Sequence, residues 1–558
     1  MKKINFFPYI IGLLVTAVVT ALCLFIFCPA VNVQNPVMWL LAAFALFVFI
    51  RVVRLVKGRK DFGWVTVTKK IGSKGRTQKH AKFNFNIKYY IPPIALVALT
   101  AIISFCGSTV MNAKSYAEIL KVSDANFSQD LAESVGTDSI ALMDTASAKM
   151  LGDREIGALS DVVSQFDVSS DYTQIDYNGK PIKVAALEYA DFFKWINNRE
   201  YGVRGCVTVD PVSMSASFVR TEGMKYVPSA YFLEDAYRYL RRAYPTTLFE
   251  NLHFEIDEDG KPCYVATVFE NTVMLFGGKT VTGCIVLDPI SGESAKYCLE
   301  SIPQWVDVVY YGDLICEQYN WYGTLQNGYL NSLFAKKDCK QITTYYSSDE
   351  EADDETPACD YGYVAKDGDI WIYTGVTSVN GDSSNIGFLL ANERTGESRY
   401  YSVAGADEKS AMSAAEGEVQ EKGYQASFPS LINVDGNPTY IMVLKDSGGL
   451  VKLYAAVSVE QYNIVATAAT QAECIEKYKS ALGIESSFRD EDITETEITV
   501  DEVKYIDISG NTYIYLIDTD SNIFRAKAAE NENMLLIEAG HSVTLTHSGK
   551  EIISCSIE

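Results

Sequence analysis

The hydrophobic pattern begins with an interruption-free stretch. From Ile4 to Ile50 no charged residue occurs. A run of 47 residues is too long for one membrane helix of about 20 residues. Pro29 and the polar segment Asn32–Pro36 divide it. The pattern predicts two transmembrane helices, at about 9–28 and 36–55, joined by a tight turn. A third uncharged stretch, Tyr89–Ala113, carries Pro92 and Pro93 near its entrance and predicts a third span at about 90–110. Lys2 and Lys3 before an apolar run resemble a signal peptide. The length of the run and the lack of a small-x-small cleavage site favour a retained helix.

Beyond residue 113 the periodicity changes to short alternating runs punctuated by turn residues. Val203-Arg-Gly-Cys-Val-Thr-Val-Asp-Pro-Val-Ser213 matches Val281-Thr-Gly-Cys-Ile-Val-Leu-Asp-Pro-Ile-Ser291. The second copy continues as Ser291-Gly-Glu-Ser294, which recurs as Thr395-Gly-Glu-Ser398 after the apolar strand Ile386–Ala391. Asn178-Gly-Lys-Pro181, Asp259-Gly-Lys-Pro262 and Asp435-Gly-Asn-Pro438 interrupt strand-like sequence. Asn-Gly and Asp-Gly suit the positive φ of hairpin turns. A helical stretch precedes each: one with Ile156, Leu159, Val163 and Phe166, one with Phe232, Ala236, Tyr239, Leu240 and Ala243, and the alanine-rich Glu408–Lys422, with Asp407 as N-cap and Gly423 as its end. The unit reads as one helix on an antiparallel sheet, repeated two or three times.

These turn and strand motifs resemble PepSY-like modules, in which a helix leads into a hairpin with a D-G turn and then a strand ending in D-x-x-S/T-G-E. Asp259–Pro262 followed by Leu287-Asp-Pro-Ile-Ser-Gly-Glu293 carries the likeness best. It covers roughly residues 145–300 and 385–470. The chain as a whole also looks like a family of membrane-anchored bacterial envelope proteins. The resemblance implies an envelope protein, and often, for PepSY-like domains, regulation or inhibition of a peptidase.

The expected organisation is therefore a membrane anchor at 1–113, α+β modules at 114–225 and 226–300, an aromatic-rich connecting segment at 301–365, and a third α+β module at 366–484. Residues 496–558 alternate in six short runs (498–505, 512–517, 523–526, 534–537, 543–546 and 552–556), which predicts a small β-barrel of OB or SH3 type.

Charge then fixes an orientation. Of the chain's 48 basic and 71 acidic residues, 14 basic and the single acid Asp61 fall in residues 1–88, leaving 34 and 70 for the remainder, a net of −36. Twelve of those basic residues lie in 51–88. Short basic loops stay in the cytoplasm. The N-terminus and this loop are expected inside, and everything after about 113 extracytoplasmic. The loop sets topology and touches anionic lipid, or binds RNA or a cytoplasmic partner. The acidic remainder disfavours nucleic acid and suits solubility or basic partners. The acidic run Ser347–Glu355 reads as an exposed loop.

Candidate chemistry is sparse. Nine cysteines lie outside the apolar spans (206, 263, 284, 298, 316, 339, 359, 474 and 555), with no C-x-x-C. They read mostly as small buried apolar residues, with room for one or two disulfides. The four histidines, His80, His253, His541 and His547, make no metal-ligand spacing. His253, between Leu252 and Phe254, reads as a strand residue. No G-x-S-x-G, phosphate loop or HExxH occurs. Asp518, Asp520 and Asn522 have EF-hand spacing, but Ile523 stands where Gly is needed and Ala529 where Glu is needed. A hairpin turn is expected there. No cofactor or metal is expected. Trp305, Tyr319, Trp321 and Tyr322, in the aromatic-rich segment, are the candidate partner surface, the alternative being an inter-module core.

The expectation is a membrane-anchored, non-enzymatic envelope protein whose outer modules bind or scaffold a protein or peptide partner. The alternative is an envelope hydrolase using paired carboxylates in a cleft between modules. Three spans without an intramembrane charge argue against a transporter.

Overall fold

The computed structural model describes residues 6–58, 66–71, 77–82, 87–131, 142–159, 162–345, 358–359, 361–379, 384–483, 494–508, 511–519, 522–527, 534, 537–548 and 551–557. Much of the basic loop, the whole acidic run Ser347–Glu355, and Asp520 lie outside them. Within the basic loop, Thr66–Ile71 and Thr77–Lys82 pair as antiparallel strands.

Two helices are long and apolar enough to cross a membrane: α1, Phe7–Phe27, and α2, Pro36–Val56. Each has Pro in its first turn, where its missing N–H costs nothing. The Asn35 side chain caps α2 by accepting from Val37 N at 3.0 Å. A third apolar helix, α3 (Ile91–Cys106), runs for 16 residues and bends by 43° into α4, Thr109–Ala117. It starts beside α2: the Phe47 and Tyr90 rings are 5.3 Å apart and Arg54 lies over the Tyr89 ring.

The remainder is largely β. Four antiparallel meanders follow one another. The first holds Thr173–Tyr177, Lys180–Tyr189, Val203–Asp210 and Ser215–Met224. The second holds Phe249–Ile256, Pro262–Val273, Gly277–Leu287 and Ser294–Cys298. The third holds Gly362–Lys366, Asp369–Ser378, Ser384–Asn392 and Ser398–Tyr401, and the fourth Ser430–Val434, Asn437–Lys445, Val451–Ser458 and Val465–Ala468. Val122–Ala125, just after α4, adds in parallel to the outer edge of the third sheet.

Local sequence dictates the turns. Three sheets open with a two-residue hairpin having positive φ at both positions: Asn178-Gly179 (53° and 79°), Asp367-Gly368 (57° and 76°) and Asp435-Gly436 (49° and 81°). The next turn but one is also repeated. Asp210 accepts from Val212 N and Ser213 N. Asp288 accepts from Ile290 N and Ser291 N, and Asn392 from Arg394 N and Thr395 N. All three are side-chain-closed turns of the same type.

Two expectations change. The strands of 366–484 divide between two sheets, because helix Glu408–Glu418 intervenes, and the Thr395-Gly-Glu turn belongs with Gly362–Lys366 and helix Gly312–Leu325. The segment 301–365 is therefore the start of a repeat. The sheets are also not simple helix-on-sheet units. Central strands such as Asp369–Ser378 and Asn437–Lys445 are buried almost end to end, so both faces need cover. One core joins the first and second sheets, and another joins the third and fourth. Helix Gly312–Leu325 is wedged between: Leu314 packs on the second sheet and Ile315, Cys316 and Tyr319 on the third. The fourth returns to the first through Lys445, whose Nζ is 2.8 Å from Asp144. The sheets surround a common centre in the manner of propeller blades.

At the C-terminus five strands, Thr494–Ile508, Asn511–Asp518, Ile523–Lys527, Ser542–Ser548 and Glu551–Ile557, pair in a ring. The pair Arg525↔Glu551 closes it. Met534 and Ile537, expected on a strand, lie in the segment between the third and fourth of these strands and fill the core.

Candidate functional site

The centre of the four sheets holds charge where a core would be expected. Gln174 and Lys183 are directly opposed in the first hairpin, so their side chains share a face. Lys183 is 1% exposed. Its Nζ lies 3.3 Å from Thr145 Oγ1 and 4.6 Å from the centre of the Tyr363 ring. No carboxylate among the described residues lies within ion-pairing distance. Burial pushes the amine down to about 8, against the pull of Asp144 and Glu393. Gln174 is 2% exposed and its Nε2 has no hydrogen-bond partner.

Glu393 comes from the turn after strand Ser384–Asn392. That turn is clamped by Asp369, which accepts from Asn392 Nδ2 and Arg394 Nε, each at 2.7 Å. The Glu393 carbonyl accepts from Val309 N and Tyr310 N. The residue is 2% exposed, and its Oε2 has no partner. Burial, reinforced by Glu255, holds it well above the usual carboxylate range, with Lys183 and the Gly312 N–H opposing.

Beneath these lies a satisfied acidic floor. Glu255, fully buried, accepts from His253 Nε2 at 2.8 Å, Val308 N at 3.0 Å and Asp307 N at 3.1 Å. Asp307 accepts from Asp176 N at 2.8 Å. Burial and the Glu255 charge push Asp307 upward. Because Glu255 and Asp307 are held by backbone N–H groups from separate strands and loops, they brace the centre.

Two adjoining cavities open here. One of about 310 Å³ takes in Lys183, Phe428 and Ser430. The other, of about 320 Å³, takes in His253, Asp313 and Glu393. Thr145, Gln174, Tyr361 and Tyr363 line both. These shared residues make the two a common cleft region, with donors at Lys183 and Gln174 on the first cavity and an acceptor at Glu393 on the second.

The repeat gives these residues meaning. Lys183 pairs with Val209, the residue before the first side-chain-closed turn. The equivalent positions are Tyr264, opposite Leu287, and Ile372, opposite Ala391. Both are buried. Glu393 follows Asn392 as Pro211 follows Asp210 and Pro289 follows Asp288. A buried cation and a buried carboxylate thus replace an apolar residue and a proline of the repeat.

Of the aromatic residues singled out in the sequence, Tyr319 and Tyr322 meet, with ring centroids 5.7 Å apart, while Trp305 and Trp321 go elsewhere. Tyr319 is 1% exposed and packs in the third-sheet core beside Tyr322. Trp305 packs against the second sheet. Trp321 meets Tyr116 of α4 edge-on at 4.8 Å. The helix sends Tyr319, Trp321 and Tyr322 into two cores and Trp305, which precedes it, into a third, so the four form no single surface. The signal lay elsewhere, in two charged residues that break a repeat visible only once the sheets are aligned.

The eleven described cysteines are free, and six of them are buried. His253 lies on strand Phe249–Ile256. Asp518 closes its hairpin by accepting from Asn522 N at 2.7 Å. Among the described residues no group of three His, Cys, Asp or Glu could hold a metal ion.

No protein-family model matches the chain, and no curated protein sequence does. Solved structures align only loosely. A cobalt-substituted Synechocystis ACO is 8% identical over 72% of this chain and 67% of its own, with a TM-score of 0.15. Bacillus subtilis levansucrase is 10% identical over 77% and 97%, with a TM-score of 0.17. An ancestral GH74 enzyme is 10% identical over 67% and 43%, with a TM-score of 0.15. At these scores the likeness carries no argument.

Proposed function

We propose that this chain is a membrane-anchored, non-enzymatic envelope protein, with PepSY-like repeats, whose extracytoplasmic body binds a protein or peptide partner at the central cleft. The observation that carries the binding reading is that two residues lining one cavity, Gln174 and Glu393, each hold a buried polar atom without a partner, Nε2 and Oε2. Leaving such groups unsatisfied costs about 1–3 kcal/mol each, and a bound partner removes that cost.

The anchor in this reading has three spans. Support comes from α3, which starts beside the end of α2 and finishes at the second sheet: Gly107 lies against Val273 and Met274. The α1–α2 turn docks on the loop that leads into the same sheet, with Val31 N donating to Pro245 O and Asn32 Nδ2 to Thr246 O. Turn and body then share one side of the membrane, opposite the basic loop, which the positive-inside rule keeps in the cytoplasm. Exposed apolar residues flank the exits of the spans. Phe193, Phe232 and Leu233 lie on the side where Phe25 and Ile26 line a groove with Phe232. Leu330, Leu333 and Phe334 follow Tyr329, which packs with Tyr116 of α4. We read the body as lying on the outer leaflet, and the C-terminal ring of strands as a small barrel standing apart from the cleft.

The test is a photo-crosslinking residue at Tyr361, on the cleft, against one at Glu258, on a distant hairpin, in intact cells. A discrete adduct from position 361 alone supports the reading. Equal or absent adducts oppose it. A membrane-impermeant maleimide should label E421C from outside intact cells and spare K74C. The reverse result overturns the orientation.

A second reading, a hydrolase with paired carboxylates, draws on Glu393 and Asp313 lining one cavity. A carboxyl held protonated by burial is suited to general acid work. Under that reading Glu393→Gln abolishes turnover of a bound peptide while leaving its crosslink intact.

A further inference from the structure

Lys183 and Gln174 stand side by side across a hairpin, each with donor capacity unfilled. Both residues line one cavity, and their amide and ammonium groups together describe a place for one anionic acceptor, a carboxylate above all. Across the cleft Glu393 presents an oxygen without a donor, and Asp313 lies on the same cavity. That wall describes a place for one cation, whose charge would displace the proton that burial holds on Glu393 and leave a carboxylate to pair with it. Neither Lys183 nor Glu393 has an opposite charge within 4 Å among the described residues. They therefore do not neutralise each other as a contact pair.

A structural explanation fares badly on the repeat. The other sheets place Tyr264 and Ile372 where Lys183 stands, and Pro211 and Pro289 where Glu393 stands, and they carry no charge at those positions. Burying an isolated ion costs several kcal/mol. Two such departures from one repeat, one basic and one acidic and on adjoining cavities, are explained by a ligand that carries both complementary charges.

We propose that the cleft binds a small zwitterion, a free α-amino acid or a short peptide, with its carboxylate on Lys183 and Gln174 and its ammonium on Glu393. The inference rests on the reading that the cleft is a recognition site, and it names what is recognised. Tyr361 and Tyr363, shared by both cavities, supply the walls between the charged ends. The two volumes, about 310 and 320 Å³, leave room for side chains between those ends.

The test uses the full chain in detergent and isothermal titration calorimetry. The probes are L-alanyl-L-alanine, N-acetyl-L-alanine, which keeps only the carboxylate, and L-alaninamide, which keeps only the ammonium. The zwitterion is expected to bind about tenfold or more tighter than either one-ended analogue, as loss of one charge-assisted contact implies. Lys183→Met should erase the preference for a carboxylate, and Glu393→Gln the preference for an ammonium. Absence of heat with all three probes overturns the proposal. So does equal affinity for the three, or a Lys183→Met protein that still prefers the carboxylate. The comparison of probes on the unaltered chain decides the matter if a variant does not fold. A cleft that crosslinks a partner at position 361 yet ignores these probes would refute the zwitterion and leave the binding reading standing.

Discussion

Gln34, in the turn between α1 and α2, and Asn271, on the second sheet, exchange three hydrogen bonds. Gln34 Nε2 donates to Asn271 O at 3.0 Å, Asn271 N to Gln34 Oε1 at 3.1 Å, and Asn271 Nδ2 to Gln34 O at 3.1 Å. The two residues are 237 positions apart, so the anchor and the body are one structure at this point. Asn271→Ala removes one of these bonds and Gln34→Ala the other two. Each should lower stability in detergent by about 1–2 kcal/mol. The double variant should fall short of the sum by about 0.5 kcal/mol or more, because the pair acts together. Additive losses in thermal unfolding would mean that the two sides of this contact act independently.

The apolar patches beside the spans make a prediction about lipid. In proteoliposomes of a Cys298→Ser background, F232C and F334C should react with a water-soluble maleimide several-fold more slowly than E421C. In detergent the three should react alike once the micelle is diluted. Fast labelling of both patches in liposomes would mean that the body stands off the bilayer.

Much of this architecture could be read from sequence, and the parts that could not share one cause. The uncharged run from Ile4 to Ile50 gave α1 and α2 because a membrane selects by length and polarity alone. The Asn178-Gly179 and Asp435-Gly436 hairpins were legible because positive φ demands those residues. Asp367-Gly368 makes the same turn, yet it lacks the following proline, so its sheet was divided wrongly. The cleft was not legible at all. Lys183 and Glu393 are 210 residues apart in the chain, and each looks like an ordinary surface charge in its own strand. Only the stacking of four sheets makes them neighbours. The Trp305–Tyr322 aromatics erred in the other direction, because local density of rings does not reveal how many cores they enter.

Asp369 sets the position of Glu393 without touching the cleft. Its carboxylate bonds Asn392 and Arg394, the residues on either side of Glu393. Asp369→Ala leaves Arg394 largely buried and without this partner, and the loss of one member of such a pair costs about 3–5 kcal/mol. Asp369→Asn keeps the shape and removes the charge. The expected outcome is a milder loss in the asparagine variant. Its affinity for L-alanyl-L-alanine should drop while that for N-acetyl-L-alanine holds, since only the Glu393 end has moved. Equal losses for both probes would make Asp369 a general stability residue.

Lys183 should cost the protein stability at neutral pH. In the unfolded chain its amine titrates near 10.5, and in the folded cleft burial brings it down to about 8, with Asp144 and Glu393 facing it and pulling the other way. Below about pH 8 both states hold the proton, and the folded state bears the full cost of a buried cation. Between about pH 8 and 10.5 the folded state has released its proton while the unfolded chain keeps it, so stability climbs with pH. The difference of about 2.5 units corresponds to roughly 3 kcal/mol. Lys183→Met, similar in length and uncharged, should therefore be more stable than the parent at pH 7 in denaturant titrations. The advantage should shrink steadily above pH 8 and largely vanish near pH 10.5. Methionine being the less stable at pH 7 would mean that the ammonium has a strong partner in the folded cleft, and that its charge is a structural asset.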